Sequence, residues 1–208
     1  MQFPRSFRRI LRAVAGPESA ALACALLGAC GAAAPNAGNN NGIASVNGSI
    51  KSQPFNAADA ISAVVTAGGG SSAVVALYDV AGNCDRYGQG KQQHSIKQLV
   101  LTLSDTSTGT GVASAPTSGG TYVVGPQTAG GPVTKSVTAS YVATTATCGA
   151  GDLATATMGT IALTNVGPAG LSGSGDLTFD SGEHITLSFI AGACGAYRGP
   201  GGGAPGCE

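Results

Sequence analysis

From Leu171 to Phe189 the chain alternates with a period of two. Leu171, Gly173, Gly175, Leu177 and Phe179 oppose Ser172, Ser174, Asp176, Thr178 and Asp180. Past Asp180-Ser181-Gly182-Glu183 the pattern resumes, with Ile185, Leu187 and Phe189 against His184, Thr186 and Ser188. A strand turns successive side chains to opposite faces, so the two runs are strands with one apolar face each. The Asp/Ser/Gly turn between in-phase strands predicts an antiparallel hairpin, buried on one side and wet on the other. Such a hairpin needs further strands to cover it.

The rest of the chain supplies them. Ala44 to Gln53 reads as a first strand, with Pro54 to Asp59 as a turn. Asp59 is compatible with capping a short helix, but Ile61, Val64 and Val65 fit a second strand, which is the reading preferred. Ala73 to Val80 is a glycine-bounded apolar run, hence a buried strand. Leu99, Leu101 and Leu103 alternate with Val100, Thr102 and Ser104, the pattern of a half-buried strand. Thr121–Val124, Val137–Thr144 and Thr155–Thr164 follow as strands, while 82–98 and 105–120 read as polar loops. The total is about eight or nine strands and no helix, which predicts an all-β fold, an antiparallel sandwich or a partly closed barrel. Residues 43–194 form this β domain, and 195–208 a Gly/Pro-rich tail that only a bridged Cys207 would fasten.

Stability is the difficulty for such a chain. It has no Trp, and Val, Leu, Ile and Ala bury less area per residue than aromatic side chains. Cys84, Cys148, Cys194 and Cys207 supply the remedy as two disulfides in an exported protein, with three connectivities open. Their spacing lacks the close pairs of a zinc site, and no metal or other cofactor is expected.

Export is written at the start. Arg5, Arg8, Arg9 and Arg12 precede the apolar run Ala20 to Leu27, broken upstream by Gly16-Pro17-Glu18. This is the layout of a signal peptide, assigned to residues 1–29, with an apolar run too short to span a bilayer. Leu27-Gly28-Ala29-Cys30 resembles the lipobox of bacterial lipoproteins; Ala21-Leu22-Ala23-Cys24 is a poorer match. The resemblance implies cleavage between Ala29 and Cys30, acylation of Cys30 with palmitate-like chains, and a membrane as partner. Gly31, in place of an aspartate, implies transfer to the outer membrane. The alternative is an ordinary signal cut near Ala32 or Ala34, giving a secreted protein. Residues 30–42, rich in Ala, Asn and Gly, read as a flexible tether.

Further stretches resemble a group of small secreted β-rich lipoproteins of myxobacteria-like bacteria. They are Asn47 to Ala60, Gly120 to Gly125, Gly173 to Gly182 and Phe189 to Cys194. This resemblance implies location and fold class and carries no catalytic residue.

Chemistry is sparse. Past residue 29 there are six basic against nine acidic side chains, a net charge of −3, which disfavours nucleic acid as a partner. The histidines are His94, in a polar loop with Lys91 and Lys97, and His184, beside Glu183 and Asp180; both read as solvated. Asp79, Asn83 and Asp85 faintly resemble a calcium loop, but Ala81 and Cys84 occupy positions that should carry an oxygen ligand and a glycine. Asp176 and Asp180 read as surface charges. No nucleophile elbow, phosphate loop or metalloprotease motif occurs. The expectation is therefore a non-enzymatic envelope protein that binds a protein, glycan or small ligand through its polar loops. A barrel carrying a lipid or small ligand is one alternative, and a hydrolase with an unfamiliar site is another.

Overall fold

The structure, a computed structural model, describes residues 42–125, 133–199 and 206–208. The signal segment, Ala29, Cys30 and most of the tether lie outside these residues. The first half of the fold contains β1 (Ile43–Ile50), β2 (Gln53–Pro54), β3 (Asp59–Ala67), β4 (Gly70–Tyr78), α1 (Asn83–Gly88), β5 (Lys91–Gln92) and β6 (Lys97–Ser107). The second contains β7 (Ala113–Ser114), β8 (Gly120–Val124), β9 (Val133–Thr144), β10 (Ala150–Gly167), β11 (Gly170–Phe179), β12 (His184–Ala193) and β13 (Gly206–Cys207).

Eleven strands share one sheet that closes on itself. Pairing runs β3-β4-β6-β9-β10-β11-β12, and β12 returns to β3 through Gly192↔Ile61 and Ala193↔Ser62. The fold is therefore all-β and partly closed, with β8 filling the gap between β9 and β10. Neighbours joined by hairpins are antiparallel, but two seams are parallel: β3–β12, which joins strands distant in the chain, and β8–β9, which joins consecutive ones. The predicted hairpin is present in its expected phase, pairing Leu177 with Ile185, Gly175 with Leu187 and Gly173 with Phe189.

Gly42 lies at the fork where β12 leaves β1 for β3. A Cβ there would fall 2.2 Å from the carbonyl oxygens of both Ala60 and Ile190, so only glycine fits.

β4 is buried on both faces and divides the core in two. Ala73, Val75 and Leu77 join the main core, with Leu99, Leu101, Leu103, Tyr122, Tyr141, Leu177, Phe179 and Phe189. Val74, Ala76 and Tyr78 face the other way, into a second cluster with Ile61, Ile96, Val100, Cys194 and Tyr197. Inside the barrel, Gly173 and Gly175 leave room that neighbours occupy: a Cβ would meet Phe189 Cζ at 3.0 Å and Ile161 Cδ1 at 2.6 Å respectively. Phe55 is also buried in the main core, its ring edge-on to Tyr141 with centroids 6.0 Å apart.

Several segments depart from the sequence reading. Residues 82–98 are not merely a polar loop: they contain α1 and bury Asn83 and Ile96 against the second cluster. Within 105–120, β6 continues to Ser107 and pairs with β7. β10 is longer than Thr155–Thr164: along one edge its start pairs with β9 and its middle with β8, while along the other it pairs with β11, with a register shift between Ala156 and Met158. The tail returns to the body, where β13 pairs with β5 and Cys207 bridges Cys148.

Candidate functional site

The cysteines pair as Cys84–Cys194 and Cys148–Cys207, with sequence separations of 110 and 59. Two disulfides are consistent with an oxidising compartment outside the cytoplasm.

The first disulfide fastens α1 over the second apolar cluster. Six residues make too short a helix to persist alone, and its N-cap, Gly82, offers no side-chain bond. Asp59 holds it instead. This carboxylate is fully buried; its Oδ2 accepts from the Asn83 backbone N–H at 2.9 Å and from Asn83 Nδ2 at 3.2 Å. Asn83 Nδ2 also donates to the Val80 carbonyl at 2.6 Å. Asp59 Oδ1 is buried with no hydrogen-bond partner. Beside it the Tyr78 and Tyr87 hydroxyls lie 3.1 Å apart, and the Tyr87 and Tyr197 rings meet edge-on at 5.2 Å. Burial raises the pKa of all three tyrosines above the ordinary phenol value, so they remain protonated donors at neutral pH.

A polar triad lies where β6, β8 and β9 meet. Tyr122 donates to Asp105 Oδ1 at 2.8 Å, and Lys135 Nζ donates to both Asp105 oxygens at 3.2 Å and to the Tyr122 oxygen at 3.1 Å. Asp105 and Lys135 face each other in register, so the ion pair ties adjacent strands while satisfying the hydroxyl of a buried ring. Burial, then the bond to Asp105, raises the Tyr122 pKa.

The outer face of β1–β12–β11–β10–β8 carries polar rows beside the exposed apolar side chains Ile43, Ile190, Met158 and Val123. Register aligns Ser45, Ser188, Ser174, Ala162 and Thr121 across it, and beside them Asn47, Thr186, Asp176, Thr160 and Val123. These short side chains repeat at the strand spacing of about 4.8 Å. Thr160 donates to Asp176 Oδ1 at 3.2 Å, while His184 Nε2 stands 3.9 Å from Asp176 Oδ2. That is an ion-pair distance and too long for the hydrogen bond that would orient a general base.

The remaining predicted positions have local partners. Glu183 does not pair with His184; its carboxylate accepts from the backbone of Lys51 and Ser52 and from the Ser181 hydroxyl. Lys51 and Ser52 have φ of 55° and 58°, which turns their N–H groups toward it. The Ser181 bond, then the Ser52 N–H, lowers the Glu183 pKa. Asp79 accepts from the Lys97 N–H at 2.8 Å, and Asn83 is engaged with Asp59, so two of the three positions that resemble a calcium loop are tied to β6 and β3 instead. The Asp180 N–H donates to the Thr155 carbonyl, and His94 Nδ1 lies 3.0 Å from the Ser95 hydroxyl. Cys30 lies outside the described residues.

Sequence reasoning missed Asp59 as an anchor, the Asp105–Tyr122–Lys135 triad and the latch at Glu183. Each joins residues far apart in the chain, and only the buried strand around Asp59 left any signal. Comparison with protein-family models, curated proteins and solved structures finds no match to this chain.

Proposed function

We propose that this is an exported envelope protein, anchored through acyl chains on Cys30, whose β domain binds an envelope component without catalysis. The observation that carries this reading is the contrast between the inside and the outside of the barrel. Inside, Tyr122, Tyr141, Phe55, Phe179 and Leu101 fill the space as fully buried side chains. A lipid carrier needs that space for its ligand, so the occupied interior favours binding at the surface. Outside, the aligned Ser, Thr and Asn side chains offer many hydrogen-bonding groups on a rigid sheet.

Retention of the purified protein without its acyl chains on washed envelope fractions tests the reading. The Ser174→Lys/Thr186→Lys variant, altered at the centre of the outer face, is expected to lose about tenfold in affinity at unchanged Tm. Solvent extraction of the folded domain is expected to release no stoichiometric small molecule. Undiminished retention by the variant contradicts the surface assignment, and a released lipid contradicts the reading as a whole.

A further inference from the structure

We infer that Cys148–Cys207 is a thiol-operated latch that controls whether the C-terminal strand covers the edge of β5. The strand is short and exposed. Gly206 and Cys207 align in parallel with Lys91 and Gln92. The backbone bonds are Gly206 N–H to Gly90 O at 2.8 Å, Glu208 N–H to Gln92 O at 2.9 Å and His94 N–H to Glu208 O at 2.9 Å. Glu208 adds ion pairs to Lys91 at 2.8 Å and Arg86 at 3.8 Å. Residues 206–208 are Gly, Cys and Glu, all exposed, so no apolar burial holds them down. Exposed ion pairs and a few edge hydrogen bonds hold a strand weakly. The covalent bridge therefore keeps the arm in place by maintaining a high local concentration.

The two disulfides differ in access. Cys84 and Cys148 are both half-buried, but their partners differ: Cys194 is 2% exposed and lies in the cluster under the tyrosines, whereas Cys207 is exposed. Exchange begins with attack by a thiolate on a sulfur it can reach, so a dithiol opens Cys148–Cys207 first. The dithiol is oxidised to its own disulfide, and Cys148 and Cys207 take up its two electrons and two protons as thiols. Release of the arm frees the Gly90 and Gln92 carbonyls, the His94 N–H and the Arg86 and Lys91 charges together. An unpaired edge beside two cations suits an extended segment carrying a carboxylate, which the arm itself supplies in the closed state.

The test is a dithiol titration of the full mature protein, quenched by alkylation and read by peptide mass, with amide exchange measured at each step. Cys148 and Cys207 are expected to become alkylated at a dithiol concentration at least about tenfold below that needed for Cys84 and Cys194. Protection of the His94 and Glu208 amides should fall in step, with Val75 and Leu101 unchanged. The Cys148→Ser/Cys207→Ser variant should show the same open edge without reductant. Simultaneous or reversed opening of the two bridges overturns the inference. So does continued protection of His94 once Cys207 is alkylated, or in the serine variant.

Discussion

The α1 cap and the C-terminal arm are each fastened by one disulfide, but what lies beneath them differs. Under the cap are Ile61, Val74, Ala76, Tyr78 and Tyr197, all buried, together with the anchored carboxylate of Asp59. The arm instead lies along a two-residue strand, held by backbone bonds and by ion pairs from Glu208. The cap is thus a second core grown on the outside of the barrel. In a protein without Trp, that layer adds burial without enlarging the barrel. Where a disulfide crosses a core it reinforces packing, and where it crosses only hydrogen bonds it supplies most of the attachment.

Removing the bridges separates these roles most strongly. Cys84→Ser/Cys194→Ser should lower unfolding stability by about 4 kcal/mol in a urea titration, because that bridge restricts the unfolded chain while the cap holds both ends folded. Cys148→Ser/Cys207→Ser should cost under about 1 kcal/mol, since the released arm regains its freedom in the folded protein too. Equal losses would place a core under the arm.

Asn83→Ala probes the cap from its polar side. It removes the Nδ2 donor to Asp59, whose other oxygen already lacks a partner, and should cost about 1–3 kcal/mol. Glu208→Ala in the arm should stay within about 0.5 kcal/mol.

An alkaline titration sharpens the same contrast spectroscopically. Burial raises the pKa of all five tyrosines, three of them in the cap. A raised phenol pKa stabilises the fold below the unfolded value of about 10, and that stability is lost as pH rises from there through the folded value. Tyrosinate absorbance at pH 10 should therefore stay below that of the unfolded chain and rise cooperatively as the protein unfolds. Early titration of part of the signal would mean that the cap opens on its own.

The smallest effect belongs to Glu183, which is exposed and whose pKa is lowered. Its contribution is present above an unfolded value near 4.5 and fades as pH falls through the lower folded one. Protection of the Lys51 and Ser52 amides, relative to their intrinsic exchange rates, should fall over that acid range, and in Glu183→Gln that pH dependence of protection should disappear.

The hairpin β11–β12 and the strand β4 were legible because alternation and apolar runs are local signals. Nine strands of five residues or more match the expected number. α1 was not legible: Asn-Cys-Asp-Arg-Tyr-Gly is too short to show a helical period and forms because Asp59 and Cys194, far away in the chain, hold it. Ring closure was hidden for a similar reason, since the β3–β12 seam is short and joins distant segments. The disulfide partners were open for the same cause: four cysteines in α1, a turn and strand ends carry no trace of which lies beside which. The outer face was visible only as polar alternation, and register turned it into aligned rows.

The central claim, an acylated export protein with a disulfide-stapled barrel, is tested most directly by mass spectrometry of the mature protein from its native membrane. The account predicts an N-terminal peptide that begins at Cys30 and carries acyl chains, with Cys84–Cys194 and Cys148–Cys207 bridged. An unmodified N-terminus downstream of Cys30 would contradict it.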